Sequence, residues 1–131
     1  MRKYNLFIIK KKYQTKDTFK ILSNIRKMNN MVYGIRIYND MCVLFKTDVI
    51  ISYLESRFPN IKKIKDGAYY LNGIKEHDII IIKPSMVTII SNLNFPLIFR
   101  VFNFYSKDII VCDFNEVDYF WLNELVLKYK Y

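Results

Sequence analysis

Few side chains in this 131-residue sequence could do covalent chemistry, and they do not converge. The single histidine, His77, stands between Glu76 and Asp78, the one place where a general acid or base has carboxylates beside it. A catalytic histidine needs a nucleophile or a metal and a group that orients it, and adjacent residues of a turn point apart. Glu76-His77-Asp78 therefore reads as a solvated turn between strands. Asp113, Glu116, Asp118 and Glu124 gather four carboxylates within twelve residues. Two-metal phosphodiester cleavage draws its ligands from separate elements, so this cluster reads as a solvated loop, or a patch facing a basic protein, that phosphate should avoid. Cys42 and Cys112 sit in apolar runs with no second Cys or His at ligand spacing and read as small buried hydrophobes in a reducing compartment. Walker loops, Gly-x-Ser-x-Gly and His-Glu-x-x-His are all missing. The expectation is a protein with no catalytic residue, no metal site, no cofactor and no small-molecule substrate.

Charge points elsewhere. Twenty-one Lys and Arg against twelve Asp and Glu leave a net charge of +9. A polyanion is the default partner, because each cation set against a phosphate releases a condensed counterion. The basic residues recur beside aromatics: Lys10-Lys11-Lys12-Tyr13, Lys62-Lys63 ahead of Tyr69-Tyr70, Arg100 inside Phe99 to Phe102, and Lys128-Tyr129-Lys130-Tyr131. Cations hold a backbone while exposed rings stack on unpaired bases. Part of this pattern is mutational, since Ile, Lys, Asn, Tyr and Phe fill slightly more than half of the chain and all have A/T-rich codons. An A/T-rich genome, organellar or viral, fits that bias.

No window reaches the ~18 consecutive apolar residues of a membrane span, so no membrane partner is expected. The N-terminus shows neither a signal-peptide core nor a transit-peptide helix. Organellar residence would thus imply synthesis inside the organelle.

The elements that must position these residues follow from periodicity. Tyr4 to Lys12 reads as a first strand with a basic exit. Thr15 and Asp17 open an amphipathic helix with Phe19, Ile21, Leu22, Ile25 and Met28 inward and Lys16, Lys20, Asn24 and Lys27 outward. Val32–Tyr38 and Met41–Phe45 read as a hairpin around Asn39-Asp40, and Thr47 to Phe58 as a second helix stopped by Pro59. Strands are expected through Ile61–Lys65, Tyr69–Leu71 and Ile79–Lys83, with Asp66-Gly67 and Asn72-Gly73 as two-residue hairpin turns. Beyond Lys83-Pro84-Ser85, strands are expected at Met86–Ile90, Leu97–Phe104, Ile109–Cys112 and Leu125–Tyr131, with a short turn or helix through Val117–Leu122. The fold class is α+β: a two-helix α/β N-terminal half, residues 1–84, packed against a mostly β C-terminal half, residues 85–131, as one two-lobed unit.

In that order of elements, the chain from residue 16 onward resembles the family of the eighth protein of the small ribosomal subunit. Ile21-Leu22-x-x-Ile25-Arg26 is similar to the family's first-helix Met-Leu-x-x-Ile-Arg, although Lys27 stands where Asn usually follows. Thr47–Phe58 occupies the place of its second helix without the Glu-Gly-Tyr after it. Phe95-Pro96 with Arg100-Val101-Phe102 resembles Lys-Pro-Gly-Arg-Arg-Val-Tyr with one residue inserted, and Asp108-Ile109-Ile110-Val111 resembles a Gly-Ile-Ala-Val strand. The family's RNA-contacting Ser-Thr-Ser-x-Gly turn falls on Asp113-Phe114-Asn115-Glu116-Val117, where two acidic residues replace small polar ones. The N-terminal strand is extra.

The resemblance implies a structural, non-catalytic constituent of a small, mitochondrial ribosomal subunit in the matrix, with ribosomal RNA and neighbouring ribosomal proteins as partners. RNA contact is expected at Lys10, Lys11, Lys12, Lys20, Arg26, Lys27 and Arg100. Asn115 is the one hydrogen bonder expected in a turn that otherwise faces protein or solvent. The alternative is a small virus-encoded protein that binds a host protein in the host cytoplasm.

Overall fold

Alternating side chains along the first strand decide the architecture, because they send large apolar groups to both sides of one sheet. The structure, a computed structural model, describes residues 1–28 and 31–129. β1 (Arg2–Ile9) lies between β6 (Val87–Ser91) and β7 (Ile109–Asp113), and its last two residues pair with the short β2 (Cys42–Val43). The eight-stranded antiparallel sheet runs β3 (Lys62–Lys65), β4 (Ala68–Asn72), β5 (His77–Ile82), β6, β1, β7, β8 (Asp118–Trp121). Strands from before and after Pro84 share this sheet, with the N-terminal strand near its middle.

Tyr4, Leu6 and Ile8 point to one face with Ile80, Ile82, Val87, Ile89, Ile109 and Val111. Three helices cover that face: α3 (Thr47–Arg57) through Ile50 and Leu54, α4 (Phe99–Tyr105) through Phe99 and Phe102, and α5 (Leu122–Tyr129) through Leu122 and Leu125. Phe7 and Ile9 point to the other face with Ile110 and Cys112. There α1 (Thr18–Lys27) and α2 (Met31–Met41) pack through Leu22, Ile25, Ile37 and Met41. Both cysteines are free and buried, and burial pushes the Cys42 thiol up to about 12.

The α+β class, α1 and α3 stand as the sequence predicts, and so does the first strand as far as Ile9, whereas its expected end at Lys10–Lys12 leaves the sheet and enters the 3₁₀ turn Lys11–Tyr13. Other elements differ, and for identifiable reasons. Val32–Tyr38 is helical, not half of a hairpin: Ile37, Tyr38 and Met41 face the sheet at helical spacing, while Val32, Tyr33 and Ile35 are exposed. Leu97–Phe104 is not a strand but a turn leading into α4, whose Phe99 and Phe102 recur three apart. Val117–Leu122 holds strand β8, and the expected last strand is α5 for Leu125–Tyr129, with Lys130 and Tyr131 outside the described residues. In each case the apolar content suited either element, and the tertiary partner decided.

The hairpin at Asp66-Gly67 has the two-residue loop expected, with Gly67 at φ +78°. Asn72-Gly73 does not. Asn72 pairs with His77, so the loop is four residues long, closed by Gly73 N–H donating to Glu76 O at 2.8 Å. Glu76 and Asp78 are correspondingly not a solvated turn. Both are buried, Asp78 completely, on the face that carries Ile80 and Leu71.

Candidate nucleic-acid interface

The α1–α2 layer holds most of the surplus charge. Residues 10–41 carry eight basic side chains, Lys10, Lys11, Lys12, Lys16, Lys20, Arg26, Lys27 and Arg36, against Asp17 and Asp40, which is +6 of the molecule's +9. All eight are exposed. The amphipathic spacing of α1 produces this arrangement: Leu22 is buried and Ile25 packs inward, so Lys20 and Lys27 have only the outer face, while Arg26 lies at the edge of the apolar stripe.

The start of α1 is fixed by Thr18 rather than by Asp17, whose side chain caps nothing. The fully buried Thr18 hydroxyl donates to Tyr13 O at 2.7 Å and accepts from Thr15 N–H at 2.9 Å. That anchors the 3₁₀ turn Lys11–Tyr13 to the helix. Lys10 Nζ donates to Asn39 O at 3.3 Å, Lys11 pairs with Asp108 at 3.6 Å, and the Lys12 ammonium lies 5.1 Å from the Tyr13 ring centroid. Such exposed contacts orient the lysines at little energetic gain and leave them open to a stronger anion.

Arg26 projects from the end of α1 over Phe114, its Cζ 4.9 Å from the ring centroid. Phe114 also stacks on Phe19, which stacks on Tyr119. Asn115 is the next residue, exposed, with its backbone N–H held by Asp113 Oδ1 at 3.1 Å. The structure thus brings Arg26 and the Asn115 turn together, with Lys20 and Lys27 on the same helix. Arg100 is on α4, across the sheet from this layer, and is not part of the same surface.

Two features escaped the sequence. One is a groove of about 310 Å³ between α1, α2 and the sheet, lined by Lys3, Asn5, Phe7, Arg26, Tyr38 and Phe114 among others. The period-two pattern of Lys3, Asn5 and Phe7 could have signalled a shared face, but what stands opposite could not be read locally. The other is the strip of sheet beyond the groove. Tyr70, Ile79, Ile81 and Ile90 share its face by register with Lys3 and Asn5, are half-buried and belong to neither core cluster.

The acidic turn is less repellent than its sequence suggests. Asp113 is buried on the opposite face of the sheet, where Arg2 Nε donates to Oδ2 at 3.1 Å and Arg2 Nη2 lies 3.8 Å from Asp118. Glu116 stays exposed in the turn. Among the described residues, no group of three or more His, Cys, Asp and Glu side chains could hold a metal ion, and no helix is long and apolar enough to cross a membrane. No protein-family model matches this chain, and no curated protein matches its sequence.

Proposed function

We propose that this protein is a non-catalytic RNA-binding subunit of a ribonucleoprotein particle, gripping RNA with its α1–α2 layer. The concentration of +6 of its charge on residues 10–41 carries this reading. Exposed cations on a helix and the turn before it hold phosphates without a catalytic apparatus. A ribosomal particle is the narrower proposal. Ile21–Arg26 on α1, Thr47–Arg57 on α3 and Ile109–Val111 on β7 support it, whereas Arg100–Phe102 lie on a helix rather than in the strand expected over Leu97–Phe104. Co-sedimentation of the native protein with ribosomal particles, in a fraction released by RNase, tests the proposal.

A second reading, binding to another protein, is favoured by a specific observation on the far side. Tyr53, Arg57, Arg100, Val101 and Phe104 line a groove of about 250 Å³ between α3 and α4, and Phe104 is 72% exposed. An apolar protein interface there would hold with little salt dependence.

A further inference from the structure

We propose that the groove under Arg26 takes one unpaired nucleotide of single-stranded RNA, an inference that rests on the RNA-binding reading and narrows it. Alternation along β1 sends Lys3, Asn5 and Phe7 to the same face, so a cation, an amide and a ring follow one another across the floor. The walls are aromatic. Phe114 stands edge-on to Phe7 at 6.3 Å between centroids and carries the Arg26 guanidinium, while Tyr38 stands edge-on to Phe7 at 6.4 Å. The Tyr38 hydroxyl donates to Ser85 O, which ties α2 to the turn between β5 and β6 and closes one side. On the floor, Asn5 accepts from the Thr88 hydroxyl at 3.0 Å, which leaves its amide N–H as the remaining donor.

This chemistry suits a flat apolar body with a polar edge and an anion attached. A base can lie on the rings, the Asn5 amide can meet its edge, and Lys3 and Arg26, both exposed, can hold the flanking phosphates. A volume of about 310 Å³ lies near the lower end of ligand sites, ~300–1,000 Å³, which fits one nucleotide and not a duplex. Of the carboxylates that follow β7, Asp113 and Asp118 pair with Arg2 across the sheet, which leaves Glu116, exposed in the turn, as the one negative charge there that a phosphate must avoid. The strip Tyr70, Ile79, Ile81 and Ile90 continues the same face and gives the next base an apolar surface.

The test uses the whole protein with three labelled probes: an oligouridine octamer containing one 4-thiouridine, a blunt RNA duplex of equal charge, and an oligoglutamate peptide. Expected are binding of the octamer over the duplex, crosslinking to Phe7, Tyr38 or Phe114, and a roughly tenfold loss of octamer affinity in Phe114→Leu. Lys3→Gln, at an exposed site, should weaken the octamer several-fold with an unchanged circular dichroism spectrum. Equal binding of octamer and duplex, with crosslinks elsewhere, would overturn the groove while leaving the RNA reading intact. Binding of the peptide alone would overturn both.

Discussion

Arg2 and Asp113, 111 residues apart, join the first residue of β1 to the last of β7 through a hydrogen bond of 3.1 Å between Nε and Oδ2. The Asp113 carboxylate is also the acceptor for the Asn115 and Glu116 backbone N–H groups, at 3.1 and 3.0 Å. One carboxylate therefore shapes the β7–β8 turn and anchors the N-terminus. Arg2→Gln should cost about 1–2 kcal/mol, since it leaves a buried carboxylate with fewer donors while water still reaches the arginine side. A urea titration checks this, and an unchanged midpoint would show the pair to be incidental.

Asp78 gives stability a pH dependence. It is fully buried beside Glu76 and Ser91, and among the described residues no donor meets either carboxylate oxygen in hydrogen-bond geometry. Burial first, then the neighbouring Glu76, pushes it up to about 8. The folded protein therefore holds this proton more tightly than the unfolded chain does, whose aspartate titrates near 3.9. Its contribution is complete below the unfolded value and is lost as pH rises through about 8. Denaturation midpoints should fall over that window, and Asp78→Asn, which stays neutral, should flatten the fall and be the more stable protein at alkaline pH. An equally steep decline in Asp78→Asn would place the cause elsewhere.

Val117 sits at φ +53°, the one described non-glycine residue in the left-handed region, and is exposed. A β-branched side chain crowds the backbone there. Val117→Gly should stabilise the protein by about 0.5–1 kcal/mol, because relief of strain exceeds the added freedom of the unfolded chain. Thermal unfolding checks it, and a lower midpoint would contradict the strain.

The sidedness of α1 separates folding from binding. Leu22, buried against Phe7 and Ile110, should cost about 2–4 kcal/mol as Leu22→Ala. Lys20→Gln, fully on the outer face, should leave the urea midpoint within about 0.5 kcal/mol. The opposite pattern would mean that the helix is inside out.

What the sequence made legible was what local physics decides. Phe19, Ile21, Leu22 and Ile25 recur at helical spacing against lysines, Asp66-Gly67 supplies a positive φ, and the β-rich apolar run that starts at Tyr4 gives way to the basic exit Lys10–Lys12, where β1 has ended. Val32–Tyr38, Leu97–Phe104 and Leu125–Tyr129 were not legible. A chain so rich in Ile, Tyr and Phe offers strand-forming residues everywhere, and only the sheet beneath those segments selects which spacing is used. The site divides the same way. Lys20, Arg26 and Lys27 could be placed from α1 alone, but Arg26 over Phe114 joins residues 88 positions apart, and the separation of Arg100 depends on which face each helix covers. The buried Glu76 and Asp78 were hidden because a turn of one length was read for another.

The central claim, that the α1–α2 layer grips RNA phosphates, is tested most directly by the salt slope of binding. The wild-type protein and the triple variant Lys20→Gln, Arg26→Gln, Lys27→Gln would be titrated against one structured RNA over a series of salt concentrations. The wild type should show a steep negative slope of log affinity against log salt, and the variant a slope shallower by about 2–3 with its urea midpoint preserved. A flat wild-type response, or identical slopes for the two proteins, would contradict the claim and turn attention to the α3–α4 groove around Phe104.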